Sequence, residues 1–173
     1  MKKIGLTNQF VLFIITTILF FVTISCDNDM YKGCKNMPEQ IIGTGEIINN
    51  AAVWYSNLDF TTFNSKEGLI ITSDSLNIFD LLVSFDNRTT YNPIDFSKYT
   101  VLGQSTSGSC RVVFDRNVIK NTELKKYIYK INVIYCGTCE KLALDMNWVL
   151  IPKLEDDFTV EFLVNYEKWK NGK

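Results

Sequence analysis

Five cysteines and no histidine set the terms for any chemistry in this chain of 173 residues. Without imidazole, the Ser-His-Asp and Cys-His nucleophile systems are excluded in their common forms. The His-bearing zinc and non-haem iron sites go with them. Thiols, carboxylates, lysine and tyrosine remain. Cys136-Gly137-Thr138-Cys139 puts two thiols at the spacing of an exchangeable dithiol pair, which becomes reactive where a helix N-terminus or a cation lowers the first thiol's pKa. Glu155, Asp156, Asp157 and Glu161 are the densest carboxylates. Clustered around a turn, they read as a solvated loop whose charge discourages aggregation. Tyr127, Tyr129 and Tyr135 fall on one face of an alternating segment. Core packing is the default for them, and a carbohydrate- or protein-binding platform is the alternative.

The cysteines read better as staples than as reagents. If Cys26 carries a modification, Cys34, Cys110, Cys136 and Cys139 are left to form two disulfides in an exported chain. A hairpin of 111–117 and 126–136 with its turn near Asn121 to Glu123 sets Val112 opposite Val133 and Phe114 opposite Ile131. Cys110 then lies opposite Tyr135 and Cys136 points to the other face. A Cys110–Cys136 bond would need a bulge, whereas Cys110 reaches Cys139 if the chain curls back at Gly137. The expected bond runs from Cys110 to the 136/139 pair, and Cys34 takes the remaining thiol. The alternative is a thiol oxidoreductase, because a Cys-x-x-Cys after a strand resembles thioredoxin. Against that resemblance, residues 142–151 read as strand, Pro152 comes too soon, and only 34 residues follow Cys139. Four thiolates could hold a structural zinc by count, but an oxidising address disfavours it. No metal and no cofactor is expected.

The N-terminus supplies that address. Met1-Lys2-Lys3 is a basic start, and Phe10 to Ile24 is an apolar run of 15 residues. That is short for a spanning helix, which needs about 20 residues, and fits a signal-peptide core. Thr23-Ile24-Ser25-Cys26 resembles the lipobox of bacterial lipoproteins, in which the cysteine is acylated and becomes the new N-terminus. Acyl chains at Cys26 would hold the protein to a lipid bilayer. Asp27-Asn28-Asp29 resembles the acidic surface-export signal that follows such cysteines. The implied location is the outer membrane, lipid-anchored and exposed at the surface. Removing Lys2 and Lys3 leaves 16 basic residues against 19 acidic, which is not the footprint of a nucleic-acid binder.

These residues need a scaffold, and composition leans toward sheet. There are three alanines against 18 isoleucines and 12 valines, and β-branched side chains favour strands. Residues 1–25 read as signal peptide, 26–46 as a tether, 47–166 as one β-rich domain and 167–173 as a frayed tail. Strands are expected over 47–55, 69–72, 96–104, 111–117, 126–136, 142–151 and 158–164. Residues 105–109 read as a flexible turn. Leu76, Phe79, Leu82 and Val83 follow Ser73-Asp74-Ser75 at helical spacing and predict one helix over 74–85. The fold class is therefore a β-rich α+β domain: an antiparallel sandwich or half-barrel of about seven strands with one covering helix.

From Ile70 onward the order of elements adds a resemblance. Ile94-Asp95-Phe96-Ser97-Lys98 opens a strand, a small-residue loop and a hairpin follow, and Phe158-Thr159-Val160-Glu161-Phe162 closes the domain. This order resembles small surface-exported bacterial lipoproteins. It is more distantly similar to the C-terminal β-module of the PrcB-type protease-complex regulators. The resemblance implies a non-catalytic module with a possible protein partner, including a protease-regulating, inhibitor-like role. It transfers no functional residue.

Overall fold

The computed structural model describes residues 34–56, 67–73, 80–85, 90–137 and 142–170. Ten strands run through them: β1 Thr44–Gly45, β2 Ala52–Ser56, β3 Leu69–Ile71, β4 Asp80–Ser84, β5 Asn92–Pro93, β6 Tyr99–Ser109, β7 Arg111–Asn121, β8 Lys126–Cys136, β9 Leu142–Pro152 and β10 Thr159–Lys168. They form three sheets, ordered β1-β7-β8-β10, β2-β4-β5 and β3-β6-β9. The β-rich expectation holds. The expected helix is corrected in its second half: Asp80–Ser84 is a strand paired antiparallel with β2. Leu81 and Val83 are buried there at period 2, and an apolar run this short fits either period. Residues 74–79 lie outside the described residues, as do the signal peptide, Cys26 and Cys139.

The β3-β6-β9 sheet packs on both faces. Val101, Trp148 and Leu150 join Val83 and Ile94 in one core cluster. Their neighbours Leu102, Val149 and Ile151 join Tyr127, Tyr129 and Ile131 in a second. Two covered faces require apolar residues without alternation, and Met146 to Ile151 is buried at every position. Gly103 sits opposite Trp148 in the register. A Cβ there would lie 2.2 Å from the indole ring, so the glycine makes room for it. β8 has one such face, and Tyr127, Tyr129, Ile131 and Val133 are buried there. Tyr127 and Tyr129 are therefore core rather than platform.

The sheets are not wholly antiparallel. β10 runs parallel to β8 from Thr159 opposite Lys126 to Lys168 opposite Tyr135. After β8 the chain enters the other sheet as β9, antiparallel to β6. It must then return to the free edge of β8 in the direction of β8. The expected turn over 105–109 is also corrected. It is the second half of β6, paired with β9 down to Ser109 opposite Leu142. Cys110, at φ 61°, is the only residue between β6 and β7.

The β7–β8 hairpin is slipped two residues from the expected register. Val112 faces Tyr135 and Phe114 faces Val133. Thr122 to Lys125 form the turn, with the Leu124 amide donating to Asn121 Oδ1 at 2.9 Å and Lys125 at φ 48°. An even slip leaves every side chain on its predicted face.

Of the segment read as a tether, the described residues 34–46 form a strap. Cys34 and Met37 are buried against Val113 and Cys136, with Ile41 beside them. Thr44 and Gly45 pair with the edge of β7. Ile47 packs into the second cluster and Ile48 into the first, where the Ile48 amide donates to the Leu150 carbonyl at 2.9 Å. The strap thus passes the edges of two sheets before it joins the third as β2. Residues 167–170 of the tail pack on the domain as well. Trp169 donates its backbone N–H to the Tyr135 carbonyl at 2.8 Å and its indole N–H to the Lys35 carbonyl at 3.1 Å.

Candidate functional site

The first candidate is the cysteine corner. Cys34 is bonded to Cys136 across 102 residues of sequence, with Cα atoms 5.4 Å apart. Cys34 thus takes a thiol of the 136/139 pair, as expected if Cys110 uses the other. Cys110 is also in a disulfide, and its partner lies outside the described residues. The expected bond from Cys110 to that pair does not fall on Cys136, which belongs to Cys34, and Cys139 lies outside the described residues. A backbone bridge brings Cys110 beside Cys136, so both disulfides meet where β6 turns into β7.

This corner is closed. Cys136 is 1 % exposed, and Met37 Sδ lies 3.2 Å from its sulfur. The contact is sulfur on sulfur, because a disulfide has no proton to donate. The Arg111 guanidinium reaches over the strap to the Met37 and Pro38 carbonyls at 3.1 and 3.4 Å. A dithiol reagent needs an exposed, low-pKa first thiol. Here that sulfur is buried and bonded to a distant residue, and neither Cys34 nor Cys136 is left as a thiolate for a metal.

The carboxylates are paired with lysines rather than with each other. Lys120 bonds Glu155, Lys125 bonds Asp157 at 2.5 Å and Lys126 bonds Glu161 at 2.9 Å. These pairs fasten the β9–β10 loop to the turn of the β7–β8 hairpin. The Lys125 ammonium holds the Asp157 carboxyl below its usual range. Lys98, with the Ser97 hydroxyl, lowers Asp95 to about 2. Two acids held ionised by lysines are poor general acids at neutral pH.

A polar cluster lies between the β3-β6-β9 and β1-β7-β8-β10 sheets. The Tyr129 hydroxyl donates to the Asn147 carbonyl at 3.1 Å. The Asn147 amide donates to Thr106 Oγ1 at 2.8 Å. Burial pushes the Tyr129 phenol far above its usual range, so it stays neutral and serves as a structural donor.

The second candidate escaped the sequence reading. A cleft of about 440 Å³ opens where the strap meets β2, β4 and β9. Trp54, from β2, is 47 % exposed and sits 6.1 Å from the Tyr91 ring at an interplanar angle of 55°. Phe85, at the end of β4, is also exposed. Trp148 lines the inner wall, and Gln40, Asn49 and Asn50 bring amides from the strap. Arg116 reaches the cleft from β7 and is the only charged lining residue among the described residues. Its Nη1 donates to the Trp148 carbonyl at a long 3.4 Å, and its buried Nε has no partner among the described residues. Trp54, Tyr91 and Arg116 are far apart in sequence, and only the pairing of β2 with β4 and of β4 with β5 brings Trp54 toward Tyr91.

Comparison with protein-family models, with curated proteins and with solved structures gives no match.

Proposed function

We propose that this chain is a bacterial lipoprotein, acylated at Cys26 and held at the outer membrane, whose stapled, sandwich-like β domain binds rather than catalyses. The carrying observation is the Cys34–Cys136 bond. A disulfide of this kind suits an exported, oxidising environment. It also fastens the fold eight residues after Cys26, within about 28 Å of fully extended chain. A domain tied that close to its anchor would be presented at a membrane surface. Support for the address comes from the order of basic start, apolar run and Ser25-Cys26. Support for binding comes from the open cleft.

Mass spectrometry of the N-terminal peptide from detergent-extracted protein tests the anchor. The expected peptide begins at Cys26 and carries acyl chains, and Cys26→Ser leaves the leader uncleaved. An unmodified Cys26 behind a retained leader would contradict the proposal. Protease accessibility on intact cells then separates the outer surface from the inner face.

A protein partner is the second reading, and one observation favours it. β10 is the last strand of its sheet, and among the described residues no strand pairs with its outer edge. Such an edge can accept an added strand, although Glu161, Glu167 and Lys168 place charges along it. Titration of the purified chain into a protease panel tests this reading. Stoichiometric inhibition supports it, and a flat titration contradicts the protease-regulating form.

A further inference from the structure

We propose that the cleft beside Trp54 binds a uronic acid unit of a saccharide, with its one carboxylate at Arg116. This rests on the binding reading above and names its ligand class. The argument starts with the aromatics. An exposed indole costs solvation unless something covers it, and Trp54 and Tyr91 present tilted faces beside the same cavity. Pyranose rings have apolar C–H faces that fit such surfaces, while their hydroxyls need donors and acceptors. Asn49, Asn50 and Gln40 supply both on the strap side. A purely apolar ligand would leave these amides without partners as it displaced their water.

The charge is set by Arg116. A guanidinium presents five donors in a planar fork suited to a carboxylate. In the described structure Arg116 holds one long bond to a backbone carbonyl and a buried, unpartnered Nε. No ion pair within 4 Å occupies it among the described residues. Partial burial raises the Asp145 carboxyl above its usual range, and the charge of Arg116 opposes that shift without cancelling it. One unsaturated cation, the only charge in the lining among the described residues, matches one negative group. A phosphate-rich ligand or a nucleic acid would call for more cations. The cavity volume lies within the range of small-molecule sites, about 300–1,000 Å³.

The test uses the full chain in detergent micelles and three probes followed by calorimetric titration. Digalacturonic acid has both rings and charge, its dimethyl ester has the rings alone, and acetyl-dialanine has a carboxylate alone. We expect digalacturonate to bind about tenfold more tightly than either other probe. Trp54→Ala should weaken digalacturonate about tenfold with the melting temperature unchanged, and Arg116→Gln should abolish the difference between acid and ester. Equal binding of acid and ester would overturn the role of Arg116. Equal or tighter binding of acetyl-dialanine would replace the saccharide by a peptide terminus. An unchanged Trp54→Ala variant, or no binding of digalacturonate at about 10 mM, would overturn the site itself. None of these outcomes touches the Cys26 anchor, whose test is the acylated peptide.

Discussion

The cysteine corner and the aromatic cleft use the same strap in opposite ways. At the corner, residues 34–41 are held by a disulfide, by Arg111 and by Trp169, and Cys34 and Cys136 are buried. At the cleft, residues 40–51 leave their amides open beside the rings of Trp54 and Tyr91 and the guanidinium of Arg116. Among the described residues, the Cys34 and Cys136 sulfurs form a cross-link, while the open cleft is lined by aromatic rings, amides and a guanidinium. The two arginines show the contrast within one strand. Arg111 bonds two strap carbonyls, whereas Arg116 on the other face of β7 makes one long bond and keeps a donor idle.

If the corner is structural, breaking it must give the largest loss of stability. The double variant Cys34→Ser/Cys136→Ser opens a loop of 102 residues, and loop-closure entropy puts the loss at about 4.7 kcal/mol. Urea unfolding under non-reducing conditions measures it, and a loss under about 1 kcal/mol would show that the strap needs no staple. Gly103→Ala comes next. Its Cβ meets the Trp148 ring at 2.2 Å, and Trp148 is only 7 % exposed. Overpacking of this kind costs about 1–3 kcal/mol, and near-UV circular dichroism should show the displaced indole.

Tyr129→Phe removes one buried donor from the Asn147 carbonyl. It should cost about 1 kcal/mol, with no effect on cleft binding. A change in digalacturonate affinity would mean that the two interlayer regions are coupled. Trp54→Ala sharpens the comparison from the other side, because a half-exposed ring away from the core should alter stability by about 0.5 kcal/mol or less.

The smallest effect is the pH dependence of the surface pairs. Asp95 and Asp157 have lowered pKa values, so their contribution is present above the unfolded value and lost as pH falls through the folded one. For Asp95 the window runs from 3.8 down to about 2. The melting temperature should show no change from this pair between pH 7 and 5, where its contribution is constant, and Asp95→Asn should flatten only the acid limb. Both groups are exposed and solvent-screened. A loss at neutral pH would point to a buried acid instead.

What could be read from the residues depended on period and distance. The alternation of Tyr127 to Val133 and of Phe158 to Val164 assigns strands and faces correctly, because period 2 survives a shift in register. The two-residue slip of the hairpin shows this: its turn was misplaced, yet Phe114 and Val133 still pack into the same cluster. The apolar run at 146–151 marks a strand, but the unbroken burial only makes sense once sheets cover both its faces. Leu82 and Val83 were assigned to a helix because a short run does not distinguish 2 from 3.6. Small residues at 105–109 looked like a turn, whereas they let β6 continue to a tight corner, where a Cβ on Gly108 would meet Val112 at 2.4 Å. The parallel pairing of β10 depends on which sheet β9 joins, a choice made by tertiary packing. Of the candidate sites, the disulfide residues were visible as a count and a spacing. The cleft was not, because Trp54, Tyr91 and Arg116 share no local pattern.

The most direct test of the central claim, that the cysteines are cross-links, is disulfide mapping by non-reducing peptide mass spectrometry. The protein would be taken from its own membrane with free thiols trapped at lysis. The account predicts a Cys34–Cys136 peptide pair, Cys110 in a second disulfide, and both resistant to mild reductant. A Cys136–Cys139 bond that opens in mild reductant, or trapped free thiols at those two positions, would contradict it and make thiol exchange the function to assay.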